Sequence, residues 1–374
     1  MTTKATSLKE HIVHIIKGSG GAISFAKYME LCLYHPVWGY YQTPRLKLGK
    51  EGDFYTSAHI GSVMGHAIAN KLASAAKPYI DCDESVIVLE WGGGEGRLAS
   101  AVLNACREHF PQFYSRLKFV SVENSEYHRT IQQQRLNQHE AKIEGLISSS
   151  EDRLWKLFQS HPIFLFANEL LDAFPVYRLR RTQNQWMEIA VCWNEHKNEF
   201  QELLISPHDP AVQQAIKQLN GDYLENQIIE INIQSLDWIR CIGKEMKRGF
   251  VCISDYGDSS QQLHASHRMN GTFLCYRNHI AIDDPYHQLG EQDMTAHVNF
   301  EWCKEAAEQS GFQQIELMTQ KQFLLDQGIM QWLQEHDGKD PFSATARNNR
   351  SIRQLLLSDG MSELFKIMTM HKTK

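Results

Sequence analysis

The stretch that most restricts this chain is Val86-Ile87-Val88-Leu89-Glu90-Trp91-Gly92-Gly93-Gly94-Glu95-Gly96, an apolar run that meets an acid and then a cluster of glycines. Consecutive apolar residues bounded by a glycine turn predict a buried strand. A helical pattern opens at Leu98, directly behind the turn. Strand, glycine turn and helix in that order place the free N–H groups of a helix N-terminus at the carboxyl edge of a sheet, where open α/β sheets hold their ligands.

The rest of the chain agrees with such a sheet. Apolar strands are expected at 86–90, 118–123, 163–167 and 249–255, with helices at 98–108, through the Gln132 region and from about 235 to 247. This alternation predicts a parallel sheet covered by helices, an α/β fold. A further strand is expected at 186–191, and a helix after Phe300 stopped by Gly311. Residues 1–35 read as two helices broken at Gly18, Gly20 and Gly21, the second capped by Ser24. Residues 36–57 are too rich in glycine and aromatics for an inert linker, and 195–227 read as a polar insertion.

Composition excludes several partners. Lys and Arg number 38 against 44 for Asp and Glu, a net charge of -6, which gives no basic footprint for nucleic acid. The longest apolar runs fall far short of the ~20 residues of a membrane span. Eight scattered cysteines form no C-x-x-C pair and no Cys/His set at zinc-ligand spacing, so reduced thiols and no metal site are expected. With neither a signal-peptide core nor an Arg-rich leader recognisable, the expected location is the cytoplasm. Nothing in the sequence specifies an oligomeric state.

Two cofactors compete for the turn. Gly94-Glu95-Gly96-Arg97-Leu98-Ala99 fits the G-x-G-x-x-A dinucleotide fingerprint. Glu90, however, would repel a pyrophosphate, whereas an acid there can meet the ammonium or sulfonium of S-adenosylmethionine. Glu90, Gly92, Gly94 and Gly96 also match in register the acid and G-x-G-x-G of class I methyltransferases. Glu123 closes the next strand, where its two oxygens suit both ribose hydroxyls. It lies 29 positions after Gly94, long against the ~20 of the dinucleotide fingerprint.

Further blocks resemble one family, the MidA-like methyltransferases, which include a complex I assembly factor that methylates a protein arginine. They are Met29-Glu30-Leu31-Cys32-Leu33-Tyr34 with Gly39-Tyr40-Tyr41, Gly52-Asp53-Phe54-Tyr55-Thr56-Ser57, Asn168-Glu169-Leu170-Leu171-Asp172-Ala173-Phe174-Pro175-Val176, and Asp255-Tyr256-Gly257. Gly271-Thr272-Phe273 with Tyr276 and His279, Asp293-Met294-Thr295-Ala296-His297-Val298, Thr319-Gln320 with Phe323-Leu324, and Leu364-Phe365-Lys366 follow in order. The chain departs from that family at Gly93, where the family has proline, and at His59 and His66, where it tends to have carboxylates. The resemblance implies a class I methyltransferase, Rossmann-like sheet covered by helices. N-terminal helices and a cofactor-proximal loop would fill 1–80, the core with its insertion 81–320, and a C-terminal helical extension 321–374.

The resemblance also implies site residues. Gly52, Asp53, Thr56 and Ser57 would join Glu90, Gly92, Gly93, Gly94, Gly96, Glu123 and Asn168 on the cofactor. Asn168, Glu169, Asp172, Asp255, Glu230 and His297 would serve catalysis. Taken alone, Asn168 with its two acids reads more readily as a helix cap with dipole partners, with Glu169 and Asp172 sharing the helix's first turn. Asp293 and His297, four apart, would couple across a helical turn as orienter and base. If the acceptor is a protein arginine, carboxylates must orient its guanidinium, because that group stays protonated below a pKa above ~12. The competing readings are an assembly protein that keeps the fold without turnover and a dinucleotide oxidoreductase.

Overall fold

The computed structural model describes residues 7–43, 62–277, 280–335, 340, 343–357 and 361–373. Compactness divides the chain into two units, neither of them continuous in sequence. One comprises Met1–Tyr55, Leu171–Trp238 and Gly257–Cys303, the other Thr56–Leu170, Ile239–Tyr256 and Lys304–Lys374. This differs from the consecutive segments 1–80, 81–320 and 321–374 expected from the sequence.

The second unit carries the parallel sheet. Its strands lie in the order Ile143–Ile147, Leu117–Val122, Val86–Trp91, Ile163–Asn168, Gly249–Asp258, Phe365–Lys372 and Gln313–Thr319. The first five run parallel, and the last two form an antiparallel edge. Starting from Val86–Trp91, the chain winds outward through two strands on one side and then returns to add Ile163–Asn168 on the other. Winding therefore reverses between Val86–Trp91 and Ile163–Asn168, with Glu90 paired to Phe166 and Trp91 to Ala167. Such a reversal opens a crevice at the strands' carboxyl ends.

All six residues of Val86–Trp91 are buried, as expected for a central parallel strand covered on both faces. The core joins Val88, Phe119, Phe164 and Phe250 to Leu72, Val102 and Phe323 from the surrounding helices. Gly65 brings Val63–Ile80 onto Arg97–His109, since a Cβ at position 65 would stand 2.5 Å from that of Ala101. The tail corrects the sequence reading. Residues 321–374 do not form a purely helical extension, because Phe365–Lys372 is a strand seated between two others, with Ser254 opposite Ile367. Its apolar residues are buried on both faces, and a short run of that kind carries no period from which to choose strand over helix.

The first unit holds two antiparallel sheets. Leu8–Gly18 and Phe25–Tyr34 form the two expected helices, capped by Ser7 and by Ser24, whose hydroxyl accepts the Lys27 amide. A five-stranded sheet contains Ala22–Ser24, Gln185–Asn194, Tyr177–Thr182, Ile228–Ile231 and Glu199–Ile205, and a three-stranded one contains Ile280–Ile282, Leu274–Arg277 and Asp293–Thr295. Part of the region read as an insertion is thus the strand Glu199–Ile205, paired to Gln185–Asn194. Its residues are mostly exposed or half-buried, so a polar sequence suffices there. The core of this unit includes Ile12, Phe25, Tyr28, Met29, Phe200 and Phe273.

Candidate functional site

The glycine turn follows Val86–Trp91 as expected. Gly92, Gly94 and Gly96 have φ of +77°, +50° and +74°, a left-handed region open to glycine at no steric cost. Gly96 is the N-cap of Arg97–His109. Gly93 is restricted for a different reason: a Cβ there would meet the Oε2 of Glu90 and lie 3.0 Å from the Gln132 Nε2. The space that the Gly93 hydrogen leaves is the space into which the Glu90 carboxylate reaches.

Glu90 is 3% exposed, and its Oε2 is buried without a hydrogen-bond partner. Burial, reinforced by the nearby Glu123 charge, pushes its carboxyl up to about 8. A backbone hydrogen bond from Ala99 offsets part of this, and the charged form stays costly unless a cation joins it. Glu123 is fixed at the end of Leu117–Val122: its Oε2 accepts the Gly94 amide at 2.9 Å and its Oε1 the Ser125 amide at 2.8 Å.

Nothing in the sequence points to the groups that brace this turn. Gln132 is fully buried on the polar helix Glu126–Arg135 and donates its Nε2 to the Gly94 carbonyl at 2.8 Å. Arg135 on the same helix and Arg97 both reach the buried carboxylate of Glu95, at 3.3 and 2.9 Å.

Asn168 closes Ile163–Asn168, and the residues after it form turns rather than a helix. The helix-cap reading of Asn168 and the pairing of Glu169 with Asp172 on a first helical turn are therefore corrected. A tight reversal replaces the helix. Glu169 sits at φ +50°, unusual for a residue with a side chain, and its amide donates to the Ser254 carbonyl at 2.9 Å. The Asn168 side-chain Nδ2 donates to the Glu169 Oε1 at 3.0 Å. Asp255, fully buried, accepts the Leu170 amide on Oδ2 at 3.1 Å and the Tyr256 amide on Oδ1 at 2.8 Å. Asn168, Glu169 and Asp255 thus meet at the carboxyl end of two adjacent strands.

Asp172, Glu230 and His297 belong to the first unit. Asp172 is buried, and its carbonyl accepts the Ala296 amide at 3.0 Å. Glu230 and His297 line one pocket with Val176, Asn232, Ser235, Leu236, Asn299 and Trp302. Thr272 bridges them: its amide and hydroxyl donate to the Glu230 Oε2 at 2.8 and 3.1 Å, and its Oγ1 accepts the His297 amide at 3.1 Å. Burial raises the Glu230 carboxyl, against the opposing pull of Arg178 at 3.8 Å. Asp293 and His297 do not share a helical turn, since Asp293 opens the strand Asp293–Thr295. Burial lowers the His297 imidazole to about 4, which suits a neutral hydrogen-bonding ring better than a base. Asp293 instead takes the hydroxyl of Tyr41, from the Gly39-Tyr40-Tyr41 block, at 2.7 Å.

Gly52, Asp53, Thr56 and Ser57, with His59 and His279, lie outside the described residues. His66, the other departure from the MidA-like pattern, is stacked between His109 and Trp332, with ring centroids 4.3 and 3.9 Å away. Among the described residues no group of three or more His, Cys, Asp or Glu side chains is arranged to hold a metal.

Residues 63–318, more than half of the chain, match the family model described as "Putative S-adenosyl-L-methionine-dependent methyltransferase". The chain belongs to this methyltransferase family. The methyltransferase is 27% identical over 357 residues to the Xenopus tropicalis protein named protein arginine methyltransferase NDUFAF7, mitochondrial, a match covering 88% of this chain and 77% of that protein. The human protein of the same name is 25% identical, with 94% and 78% covered. A Burkholderia thailandensis protein solved with S-adenosylhomocysteine bound is 25% identical, superposes with a TM-score of 0.85, and shares 97% of this chain and 91% of that one.

The family settles the choice that the glycines left open: the methyltransferase uses S-adenosylmethionine. Its glycine turn fits that cofactor, for a buried carboxylate oxygen without a donor stands beside it. The expectation of a cytoplasmic protein is overturned, since the relatives are mitochondrial by name. Compartment signals are read by receptors and leave no trace in the physics of a fold. Among the described residues no helix is long and apolar enough to cross a membrane.

Proposed function

We propose that the methyltransferase transfers the methyl group of S-adenosylmethionine to an arginine side chain of a protein partner. The observation that carries the donor side is the buried, unpartnered Oε2 of Glu90 at the glycine turn. The acceptor class rests on the relatives, which are named protein arginine methyltransferases along most of this chain.

In this reading Glu90 faces the positive charge of the donor, the backbone of Gly92, Gly93, Gly94 and Gly96 approaches it closely, and Glu123 takes the ribose. The MidA-like resemblance adds Gly52, Asp53, Thr56 and Ser57 to the cofactor's residues. When bound, the cofactor supplies a methyl carbon on a positively charged sulfur, open to in-line attack. The protein's part is to position the acceptor and exclude water. Asn168, Glu169 and Asp255 are assigned to the acceptor, where carboxylates orient a guanidinium and receive the proton it sheds, and the MidA-like resemblance alone adds Asp172 and Glu230 to the catalytic residues. His297 serves as a neutral hydrogen-bonding group.

The test uses the full chain, S-adenosylmethionine labelled in its methyl group, and a lysate from a strain lacking the gene. Label recovered as methylarginine after acid hydrolysis is the expected result. Label in another residue would overturn the acceptor. No labelled protein, despite saturable S-adenosylhomocysteine binding, would favour an assembly role without turnover.

A further inference from the structure

Gly94 is held at both ends of its own residue by side chains far along the sequence. Its amide is bound by Glu123 and its carbonyl by Gln132, 29 and 38 positions later. The glycines at 92, 94 and 96 all have positive φ, and residues of this kind carry the widest backbone freedom in the unfolded and unliganded chain. A turn built from them binds well only when something else fixes its peptide planes.

Gln132 is an odd choice as a mere filler. It is fully buried, yet its Oε1 has no hydrogen-bond partner, so the amide leaves an acceptor bare. A methionine would occupy similar space without that loss, because burying a polar atom unpaired is unfavourable. What glutamine adds is one donor aimed at Gly94. Its side chain also stands against the turn elsewhere: a Cβ on Gly96 would lie 3.0 Å from its Cγ, and one on Gly93 3.0 Å from its Nε2.

We propose that Gln132 is a positioning residue for the methyl donor: by holding the Gly94 carbonyl it sets the glycine turn in its binding conformation before the cofactor arrives. The inference rests on the placement of the cofactor at this turn. Gln132 itself need not touch the ligand.

The test compares full-length wild type, Gln132→Met and Gln132→Glu by calorimetric titration with S-adenosylhomocysteine and S-adenosylmethionine, alongside thermal unfolding without ligand. Gln132→Met is expected to weaken both ligands about five- to tenfold, as loss of one net hydrogen bond does, while the unliganded melting temperature stays level or rises. In Gln132→Glu a protonated carboxyl can still donate to Gly94 and an ionised one cannot. Its affinity relative to wild type should therefore recover as pH falls. Wild-type affinity in Gln132→Met, or a Gln132→Glu ratio flat with pH, would overturn the proposal. So would failure of both variants to fold, which would make Gln132 structural only. Failure of the wild type to bind either ligand would instead remove the cofactor placement.

Discussion

The Leu170 amide donates to the buried Oδ2 of Asp255 at 3.1 Å, and this bond fixes the turn that follows Ile163–Asn168. The same carboxylate accepts the Tyr256 amide, so one side chain braces the ends of two parallel strands. Asp255→Ala leaves those amides without their acceptor. It should lower stability by about 2 kcal/mol, with methyl transfer falling further than the lost stability explains. Denaturant unfolding and the labelled-methyl assay would measure the two effects, and an active Asp255→Ala enzyme would remove Asp255 from the site.

Glu169 makes the opposite prediction. Its φ of +50° strains a residue that has a Cβ, so Glu169→Gly should raise stability by about 1 kcal/mol. Methyl transfer should nevertheless be lost, because the carboxylate goes with the side chain. A variant that melts higher and still transfers methyl would separate the strain from function.

Glu90 couples stability to pH. Its folded carboxyl stands at about 8 against an ordinary 4.5, so the folded state holds a proton that the unfolded state releases. The Glu90 contribution is therefore fully favourable below 4.5 and is lost as pH rises from there towards 8. Glu90→Gln should remove this fall and raise the melting temperature of the free protein at pH 8, while weakening S-adenosylmethionine at least tenfold. Melting curves from pH 5 to 9, with and without ligand, would show both. Unchanged affinity would end the assignment of Glu90 to the donor's charge.

His66 works in the reverse sense. Burial, with His109 beside it, lowers its imidazole to about 4 from an ordinary 6.5. The unfolded chain takes up the proton first, so this contribution is complete above 6.5 and is lost as pH falls towards 4. His139, His264 and His297 are lowered to about 4 too, each chiefly by burial, and add to the same decline. His66→Phe keeps a ring between His109 and Trp332 and should flatten part of the loss. Unfolding at pH 7, 5.5 and 4.5 would check it; an identical slope in the variant would place the acid sensitivity elsewhere.

The departure at His66 shows why a family pattern misleads at a single position. A histidine stands where carboxylates were expected, and its ring is packed between two aromatic neighbours from distant segments. Nothing local announces such a stack. Gln132 was hidden in the same way, for on a helix as polar as Glu126–Arg135 its burial depends on what lies across from it. Asp293 and His297 failed differently, since a four-residue spacing implies neighbours only on a helix, and Asp293–Thr295 is extended.

What the sequence determined by itself was local: Val86–Leu89 must be a buried strand, Gly92 to Gly96 must turn sharply, and a helix must follow directly behind. Chain-local sterics and apolar periodicity act over a few residues, so they can be read from a few residues. Tertiary structure alone decided that Phe365–Lys372 would be a strand, that winding would reverse beside Glu90, and that Gln132 and Glu123 would grip Gly94. Those outcomes join residues tens to hundreds of positions apart. They follow from which surfaces are buried together, a property that no short stretch of this chain contains.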